Sequence, residues 1–155
     1  VLDIEYHGIA DAKPTPQALE QIANSDLIII APSNPIVSIG AILAVPEIQQ
    51  AVEKSGAYII AISPLIGGKT VKGPADKMLE SAGKSIDSKG IYDCYNTFLQ
   101  AMVIDDIDQQ DAAWLQGQGL DVLVTPTLMT NPEDKTALLT KVVEFALSHK
   151  KQRAA

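Results

Sequence analysis

The chain has 155 residues, of which 46% are hydrophobic and 20% charged, and this length and composition are typical of one folded domain with a single core. The 12 lysine and arginine residues stand against 19 aspartate and glutamate residues, and the resulting net charge of -7 argues against a surface that wraps nucleic acid. Cys94 is the one cysteine, which excludes an intrachain disulfide framework and a cysteine-rich zinc site.

Short β-rich runs alternate with helical patterns, which indicates parallel βαβ units. In chain order we predict a strand over 1–6, a helix over 16–24, a strand over 27–31, a helix over 40–54 that Pro46 interrupts, a strand over 57–62, helices over 75–83 and 88–98, a strand over 101–104, a helix over 109–118, a strand over 121–124 and a helix over 132–149. The second and third strands are continuously apolar, as strands covered on both faces are. We therefore predict one α/β domain over residues 1–150, with a mostly parallel sheet of about five strands flanked by helices, and a frayed tail over 151–155.

The start of the chain suggests that it is part of a longer protein, and its short apolar runs suggest its cellular location. It opens on a strand-like run without an initiator methionine, so we expect part of a longer protein or an excised domain. Its longest apolar runs, such as 27–31, are far shorter than the roughly 18 residues that cross a bilayer, and no signal-peptide pattern is visible. We therefore expect a cytoplasmic chain that binds neither membrane nor nucleic acid.

The loops that follow the strands are the places to look for chemistry, because ligands of open parallel sheets bind at the carboxyl ends of the strands. After the second predicted strand, Ser33, Asn34 and Ser38 supply hydroxyl and amide groups ahead of a helix, whose free N–H groups attract anions. The alternative is that Ser33 or Ser38 only caps the helix, and spacing alone favours this because such caps are common.

The long loop after the third predicted strand concentrates lysine and glycine in an acidic chain. Residues 68–70 match the end of a P-loop, but the first glycine of that motif is absent and its lysine does not open a helix, so we reject an ATPase. We predict instead that Gly67 and Gly68 let backbone N–H groups approach a phosphate, which Lys69 and Lys72 neutralise. The alternative is a solvated basic loop.

Acidic side chains follow the fourth predicted strand. Asp105, Asp106 and Asp108 come first, and Asp111 lies three residues further on. Carboxylates at the end of a strand can hold Mg²⁺ against a diphosphate. The three-residue spacing of Asp108 and Asp111 is also typical of helix capping, and we favour capping here.

Two hydroxyl side chains, Thr125 and Thr127, follow the fifth predicted strand. They would lie at the same edge of the sheet as the other loops described so far. They either bind a ligand or close the turn, and the sequence favours neither interpretation.

Several common enzyme signatures are absent. The sequence contains no G-x-S-x-G, G-x-G-x-x-G or H-E-x-x-H, so hydrolase, dinucleotide oxidoreductase and zinc-protease interpretations lose their usual basis. His7 and His149 have no partners at metal-ligand spacing. Cys94, on a predicted helix, fits a buried small hydrophobic residue better than a nucleophile.

Four stretches of the chain together carry a resemblance to a known family. They read APSNP at 31–35, SPLIGGK at 63–69, VKGPADKM at 71–78 and VLVTPTLM at 122–129. With these stretches the chain resembles the 2-phospho-L-lactate transferase family from about residue 1 to residue 147. The lysine–glycine loop is the most specific part of the match.

The resemblance implies a Rossmann-like α/β fold and transferase activity. Members of that family move a phospholactyl (or phosphoenolpyruvyl) group from a guanosine-diphosphate-activated donor to the deazaflavin alcohol FO, with release of GMP. The product is the precursor of coenzyme F-420, and the expected cofactor is Mg²⁺. The chemistry is attack by a primary hydroxyl on a diphosphate phosphorus, for which positioning and charge neutralisation do most of the work.

The resemblance also assigns expected roles to residues of this chain. Lys69 and Lys72 are the expected catalytic residues, because they would offset charge on the leaving GMP. The expected contacts to the substrate and its nucleotide phosphates are Ser33, Asn34, Ser38, Gly67, Gly68, Thr125 and Thr127. The metal ligands are not identified, and the fallback candidates are Asp76, Asp105 and Asp106.

The sequence also departs from that family. Full-length members are longer, and their N-terminal half opens with a glycine-rich nucleotide-binding loop that this sequence lacks, so the chain resembles the C-terminal half. We expect it to be inactive alone, with the N-terminal half as its partner, and we leave open a homodimer and the choice between lactyl and enolpyruvyl donors. The alternative function is that of a related branch of the same fold, a regulator that binds a nucleotide sugar without transfer chemistry. Binding of FO, rather than of a nucleotide sugar alone, would distinguish the two.

Overall fold

The computed structural model describes residues 4–153, with side chains through residue 150. The strands are β1 Leu27–Ile30, β2 Tyr58–Ile62, β3 Leu65–Ile66, β4 Lys69–Thr70, β5 Ala101–Ile104 and β6 Asp121–Val124. The α-helices are α1 Pro16–Asn24, α2 Ala41–Leu43, α3 Ile48–Lys54, α4 Ala75–Ser81, α5 Ser88–Tyr92, α6 Ala112–Gly117 and α7 Pro132–Arg153. Two 3₁₀ helices, Ile9–Asp11 and Asp106–Asp111, and a π-helix, Pro35–Gly40, complete the order.

The main sheet has four parallel strands in the order β1-β2-β5-β6, and β3 and β4 form a separate antiparallel hairpin. The prediction of an α/β fold with a mostly parallel sheet flanked by helices is therefore confirmed. The first predicted strand is wrong where it can be checked: residues 4–6 belong to no strand, and residues 1–3 lie outside the described part of the chain. Since each strand is added beside the previous one, the helical connections all cross the same face of the sheet.

The two faces of the sheet are covered by different helices. In β2, Ile59 and Ala61 pack into a cluster shared with α1 and α3 to α6, whereas Ile60 packs against Leu138 and Val142 of α7. Every residue of β2 and β5 is buried. This two-sided burial is why these strands are continuously apolar instead of alternating.

The predicted helix 40–54 is interrupted as expected, with α2 ending at Leu43 and α3 starting at Ile48. Other predicted helices differ from the observed ones in type or length. The predicted helix 88–98 continues as an α-helix only to Tyr92, after which bonds three residues apart, such as that from Tyr95 N–H to the Tyr92 carbonyl, replace the α pattern. The predicted helix 109–118 is a 3₁₀ helix that leads into α6. The last helix extends beyond residue 149, to Arg153.

Among residues 4–153, no single helix is long and apolar enough to cross a membrane. Two helical segments reach the length and apolar composition of a membrane span only when they are counted together. They are Pro35–Leu43 and Ile48–Lys54, and the chain bends by 83° between them.

Three aspartates after β5 are buried and bond to three separate segments. Asp105 is the N-cap of the 3₁₀ helix, and Asp108 and Asp111 lie one turn apart within it. We call these residues the aspartate series. The Asp105 carboxylate accepts the N–H of Thr127, at 2.8 Å, and that of Ile107, at 3.2 Å.

The other two members of the series bond to earlier parts of the chain. Asp108 accepts the N–H of Gly67 at 3.0 Å, and Asp111 accepts the N–H of Ser88 at 3.3 Å. The predicted capping role therefore belongs to Asp105, which caps the 3₁₀ helix, while Asp108 and Asp111 join that helix to the β3–β4 hairpin and to the start of α5.

The first two carboxylates of the series titrate in opposite directions. Burial raises the pKa of Asp105, but hydrogen bonds from Thr127 and Ile107 outweigh burial and hold the pKa below its ordinary value of 3.8. Burial also raises the pKa of Asp108, where the Gly67 N–H opposes it and the neighbouring carboxylates, chiefly Asp111, raise it further. The net pKa of Asp108 is above 3.8.

We expect Asp105→Ala to lower the free energy of unfolding by about 1–3 kcal/mol, because the buried Thr127 N–H loses its acceptor. Urea denaturation of the 155-residue chain near neutral pH measures this change. Asp106→Ala is the matched control, since its exposed side chain should shift stability by no more than about 0.5 kcal/mol. Equal losses in the two variants would contradict the role given to Asp105.

The raised pKa of Asp108 predicts a stability that depends on pH. In the wild type, Asp108 contributes most to the free energy of unfolding below about pH 3.8, which is its pKa in the unfolded chain. This contribution is lost as the pH rises through the higher pKa of the folded state. Asp108→Asn should therefore gain stability relative to the wild type between about pH 4 and pH 7. Urea midpoints of both proteins at these two values test the prediction, and a difference that is constant or has the opposite sign would refute it.

Candidate functional site

A cavity of about 570 Å³ opens at the carboxyl end of the main sheet. It lies between the loop after β1, the loop after β2, the segment that joins β4 to α4, and the loop that leads from β6 into α7. Its lining residues are Pro32, Ser33, Asn34, Val37, Ser38, Ser63, Pro64, Ile66, Thr70, Val71, Lys72, Gly73, Pro74, Ala75, Thr127, Leu128, Met129 and Lys135. The cavity is therefore at the edge of the sheet where a parallel α/β fold binds its ligands.

The charge of the lining is opposite to that of the chain. Lys72 and Lys135 line the cavity, and among the described residues no carboxylate does. The whole chain has a net charge of -7. A cavity that is locally cationic in an acidic protein favours an anionic ligand.

The loop after β1 contains one residue with a structural role, Asn34, and two serine hydroxyl groups that are available to a ligand. Asn34 is the cap: its Oδ1 accepts the N–H groups of Ile36, at 2.9 Å, and Val37, at 3.1 Å. The alternative that Ser33 or Ser38 caps the helix is therefore wrong, and the amides expected to hold an anion are bonded to Asn34. Both serines line the cavity, and no described residue hydrogen-bonds to their hydroxyl groups.

The glycine pair of the basic loop forms a turn away from the cavity. Gly67 and Gly68 have φ angles of +60° and +69°, which fit the type I′ turn of a two-residue hairpin loop between β3 and β4. The Gly67 N–H, expected to approach a phosphate, bonds instead to Asp108. Neither glycine lines the cavity, and Lys69, at the start of β4, does not line it either, whereas Lys72 does.

The two threonines after β6 have different surroundings. Thr125 is buried and its hydroxyl accepts a hydrogen bond from Lys141 at 2.9 Å, so it lies beneath α7 and does not line the cavity. Thr127 lines the cavity, and its hydroxyl donates to Asp105 at 3.1 Å.

The three fallback metal candidates do not meet at the cavity. Asp105 is buried and accepts hydrogen bonds from Thr127 and Ile107, and Asp76 accepts the N–H of Lys77. Asp106 is exposed on the 3₁₀ helix. Within residues 4–150 there is no group of three or more histidine, cysteine, aspartate or glutamate side chains that could hold a metal ion. These three aspartates therefore do not come together as one Mg²⁺ site.

The one cysteine is unsuited to nucleophilic chemistry. Cys94 is partly buried, and its thiol lies 3.3 Å from the Gly90 carbonyl. Burial raises the pKa of the Cys94 thiol, which keeps it protonated near neutral pH.

Lys135, which lies in the first turn of α7 and lines the cavity, was not predicted from the sequence. Lysines are common on helix surfaces, and this one is 63 positions after Lys72. The available signal was its position just after the loop of the last strand, where helix starts face the ligand edge of a parallel sheet.

Comparison with known proteins identifies relatives of this chain. A family model described as "2-phospho-L-lactate transferase CofD" matches residues 2–127. The 2-phospho-L-lactate transferase of Methanocaldococcus jannaschii is 39% identical over 145 residues, which are 94% of this chain and 45% of that protein. The corresponding protein of Methanococcoides burtonii is 39% identical over 94% of this chain and 47% of its own length.

A relative named for a different activity is also similar. The phosphoenolpyruvate transferase of Streptomyces griseus is 34% identical over 140 residues, or 90% of this chain and 44% of that protein. The chain thus spans about half the length of the curated relatives that it matches. Because the family model covers most of the chain, the chain belongs to the 2-phospho-L-lactate transferase CofD family.

Proposed function

We propose that this chain is part of an enzyme that transfers a phospholactyl or phosphoenolpyruvyl group from a guanosine-diphosphate-activated donor to FO. GMP is released, and the product leads to coenzyme F-420. The names of the relatives, 2-phospho-L-lactate transferase and phosphoenolpyruvate transferase, support this class of reaction. The contribution of this chain is to bind the diphosphate part of the donor.

The cationic lining of the cavity is the observation that carries the proposal. A diphosphate brings negative charge, and Lys72 and Lys135 are the charged side chains that line the cavity in the described part of the chain. The free hydroxyl groups of Ser33 and Ser38 add hydrogen-bond donors for phosphate oxygens. The volume of about 570 Å³ is within the usual range for small-molecule sites.

The proposed reaction is a displacement at phosphorus. The FO hydroxyl oxygen forms a bond to the phosphorus that carries the lactyl or enolpyruvyl group, and its proton passes to water. The bond from that phosphorus to the bridging oxygen breaks, and GMP leaves with the oxygen and its electron pair. Lys72 and Lys135 offset the charge that develops on GMP, which lowers the barrier because the positive groups are already in place.

The remaining expectations concern parts of the enzyme beyond the cavity. Mg²⁺ stays a prediction, and we propose that its ligands come from the rest of the longer protein, because Asp76, Asp105 and Asp106 do not line the cavity. The N-terminal half as partner, a cytoplasmic location and a homodimer are likewise predictions.

We expect the chain to bind GDP, with Lys72→Ala and Lys135→Ala each weakening binding about fivefold, since one exposed charge contact is worth up to about 1 kcal/mol. Calorimetric titration measures the dissociation constants, and added salt should weaken binding to the wild type. Lys69→Ala is the matched control, because Lys69 is exposed in the same basic loop but does not line the cavity.

Two results would contradict this assignment. If the folded wild-type chain binds no GDP, the nucleotide site is not carried by these residues. If Lys69→Ala weakens binding as much as Lys72→Ala, the attraction is general to the loop and not specific to the cavity.

We expect the 155-residue chain alone to show no FO-dependent release of GMP, because it spans about half of its relatives' length. An assay that follows GMP formation from the activated donor tests this. Full turnover by the isolated chain would refute the expectation. Binding of a nucleotide sugar without any binding of FO, in the chain combined with its remaining half, would favour the regulatory alternative.

A further inference from the structure

The polar groups of the cavity differ in the direction of the hydrogen bonds that they can make. Lys72 and Lys135 can only donate, and the hydroxyl groups of Ser33 and Ser38 are free to turn either way. Thr127 is different because it is only 5% exposed and its hydroxyl group donates a hydrogen bond to the Asp105 carboxylate.

The bond to Asp105 fixes the orientation of the Thr127 hydroxyl. The same carboxylate oxygen, Oδ2 of Asp105, accepts the Thr127 N–H at 2.8 Å and the Thr127 hydroxyl at 3.1 Å. Burial of Asp105 is outweighed by these bonds and that from Ile107, so the pKa of Asp105 is low and the carboxylate is ionised at neutral pH. An ionised carboxylate only accepts, so the one hydroxyl proton of Thr127 is directed at Asp105.

Thr127 lines the cavity, and with its proton directed at Asp105 its hydroxyl group can offer a ligand only lone pairs. Ser63, also buried in the lining, lies 3.2 Å from the Leu65 N–H and 3.4 Å from the Leu65 carbonyl, so its hydroxyl is occupied in both directions. Thr70 also donates its proton, to the Gly73 carbonyl, but it lies on the partly exposed hairpin, where water competes for its lone pairs. Thr127 is thus a buried acceptor of fixed orientation in a cavity whose charges are positive.

We propose that Thr127 is a specificity-determining residue, whose oxygen accepts a hydrogen bond from a hydroxyl or N–H group of the bound ligand while the lysines hold its anionic part. The proposal rests on the function proposed above, which makes the ligand a nucleoside diphosphate. Such a ligand carries anionic oxygens and, at a distance from them, ribose hydroxyl and base N–H donors. A ligand that places only an acceptor or an anion at Thr127 is repelled by its lone pairs and by the charge of Asp105 behind it.

The test is a calorimetric titration of the 155-residue chain with GDP and two analogues. One is 2′,3′-dideoxy-GDP, which lacks the ribose donors, and the other is 1-methylinosine diphosphate, which lacks the base N–H donors. The variants are Thr127→Val, which removes the acceptor with little change of shape, and Thr127→Ser, which keeps the hydroxyl and serves as the matched control.

We expect Thr127→Val to weaken GDP binding about tenfold, the effect of one buried hydrogen bond, and Thr127→Ser to retain binding. One of the analogues should bind the wild type about tenfold more weakly than GDP, and Thr127→Val should not weaken that analogue further. If circular dichroism indicates that Thr127→Val is unfolded, Thr127→Ala replaces it against the same ligands.

Four results would overturn the inference. Unchanged GDP affinity in Thr127→Val, or equal affinity of the wild type for all three ligands, would mean that no ligand donor meets this oxygen. Equal weakening of all three ligands by Thr127→Val would mean that Thr127 acts only on the structure. If the wild type binds no GDP, the proposed nucleotide site fails first, and this inference fails with it.

Discussion

Loop N–H groups that lack a partner in any sheet or helix need another acceptor, and in this chain the aspartate series supplies it. The N–H groups of Gly67, Ser88 and Thr127 lie in three different segments, and each bonds to a carboxylate of the same short 3₁₀ helix or its N-cap. Ser88 and Thr127 are buried, and leaving their amides unpaired would cost free energy comparable to a lost hydrogen bond at each site. The aspartate series therefore fixes the positions of these three segments relative to one another.

The arrangement also determines where charge lies around the cavity. Asp105 and Asp108 are buried against backbone amides, and the pKa of Asp108 is raised chiefly by its burial and further by the neighbouring carboxylates. Neither carboxylate lines the cavity, whose charged lining in the described residues is Lys72 and Lys135. An acidic protein thus presents a cationic site, because these carboxylates are turned towards the protein's own N–H groups.

The sequence predicted those parts of the fold that depend on local pattern. The apolar runs of β2 and β5 were recognisable because a strand buried on both faces needs apolar residues throughout, and the partly buried β1 and β6 have mostly apolar runs as well. The end of α5 at Tyr92 was missed, because no proline or glycine signals it and the change to bonds three residues apart is not visible in the residue types. Gly67-Gly68 was interpreted as a phosphate loop, although a glycine pair between short β-prone runs is also the signal of a hairpin.

The candidate site was predicted in part, because the local sequence pattern also indicates which loops follow the strands. Ser33, Ser38, Lys72 and Thr127 were found because each follows a strand, and ligand-facing loops of parallel sheets follow strands. The locked orientation of the Thr127 hydroxyl could not be predicted, since it depends on Asp105, which is 22 positions away along the chain. Lys135 is brought to the cavity only by the packing of α7.

That packing connects ligand and core through a single helix. The α7 helix covers one face of the sheet with Leu138 and Val142, is tied to the loop after β6 by the bond from Lys141 to Thr125, and places Lys135 in the cavity from its first turn. A ligand that contacts Lys135 binds more tightly while α7 is attached. Occupancy of the cavity and attachment of the helix are therefore thermodynamically linked, and each favours the other by the same free energy.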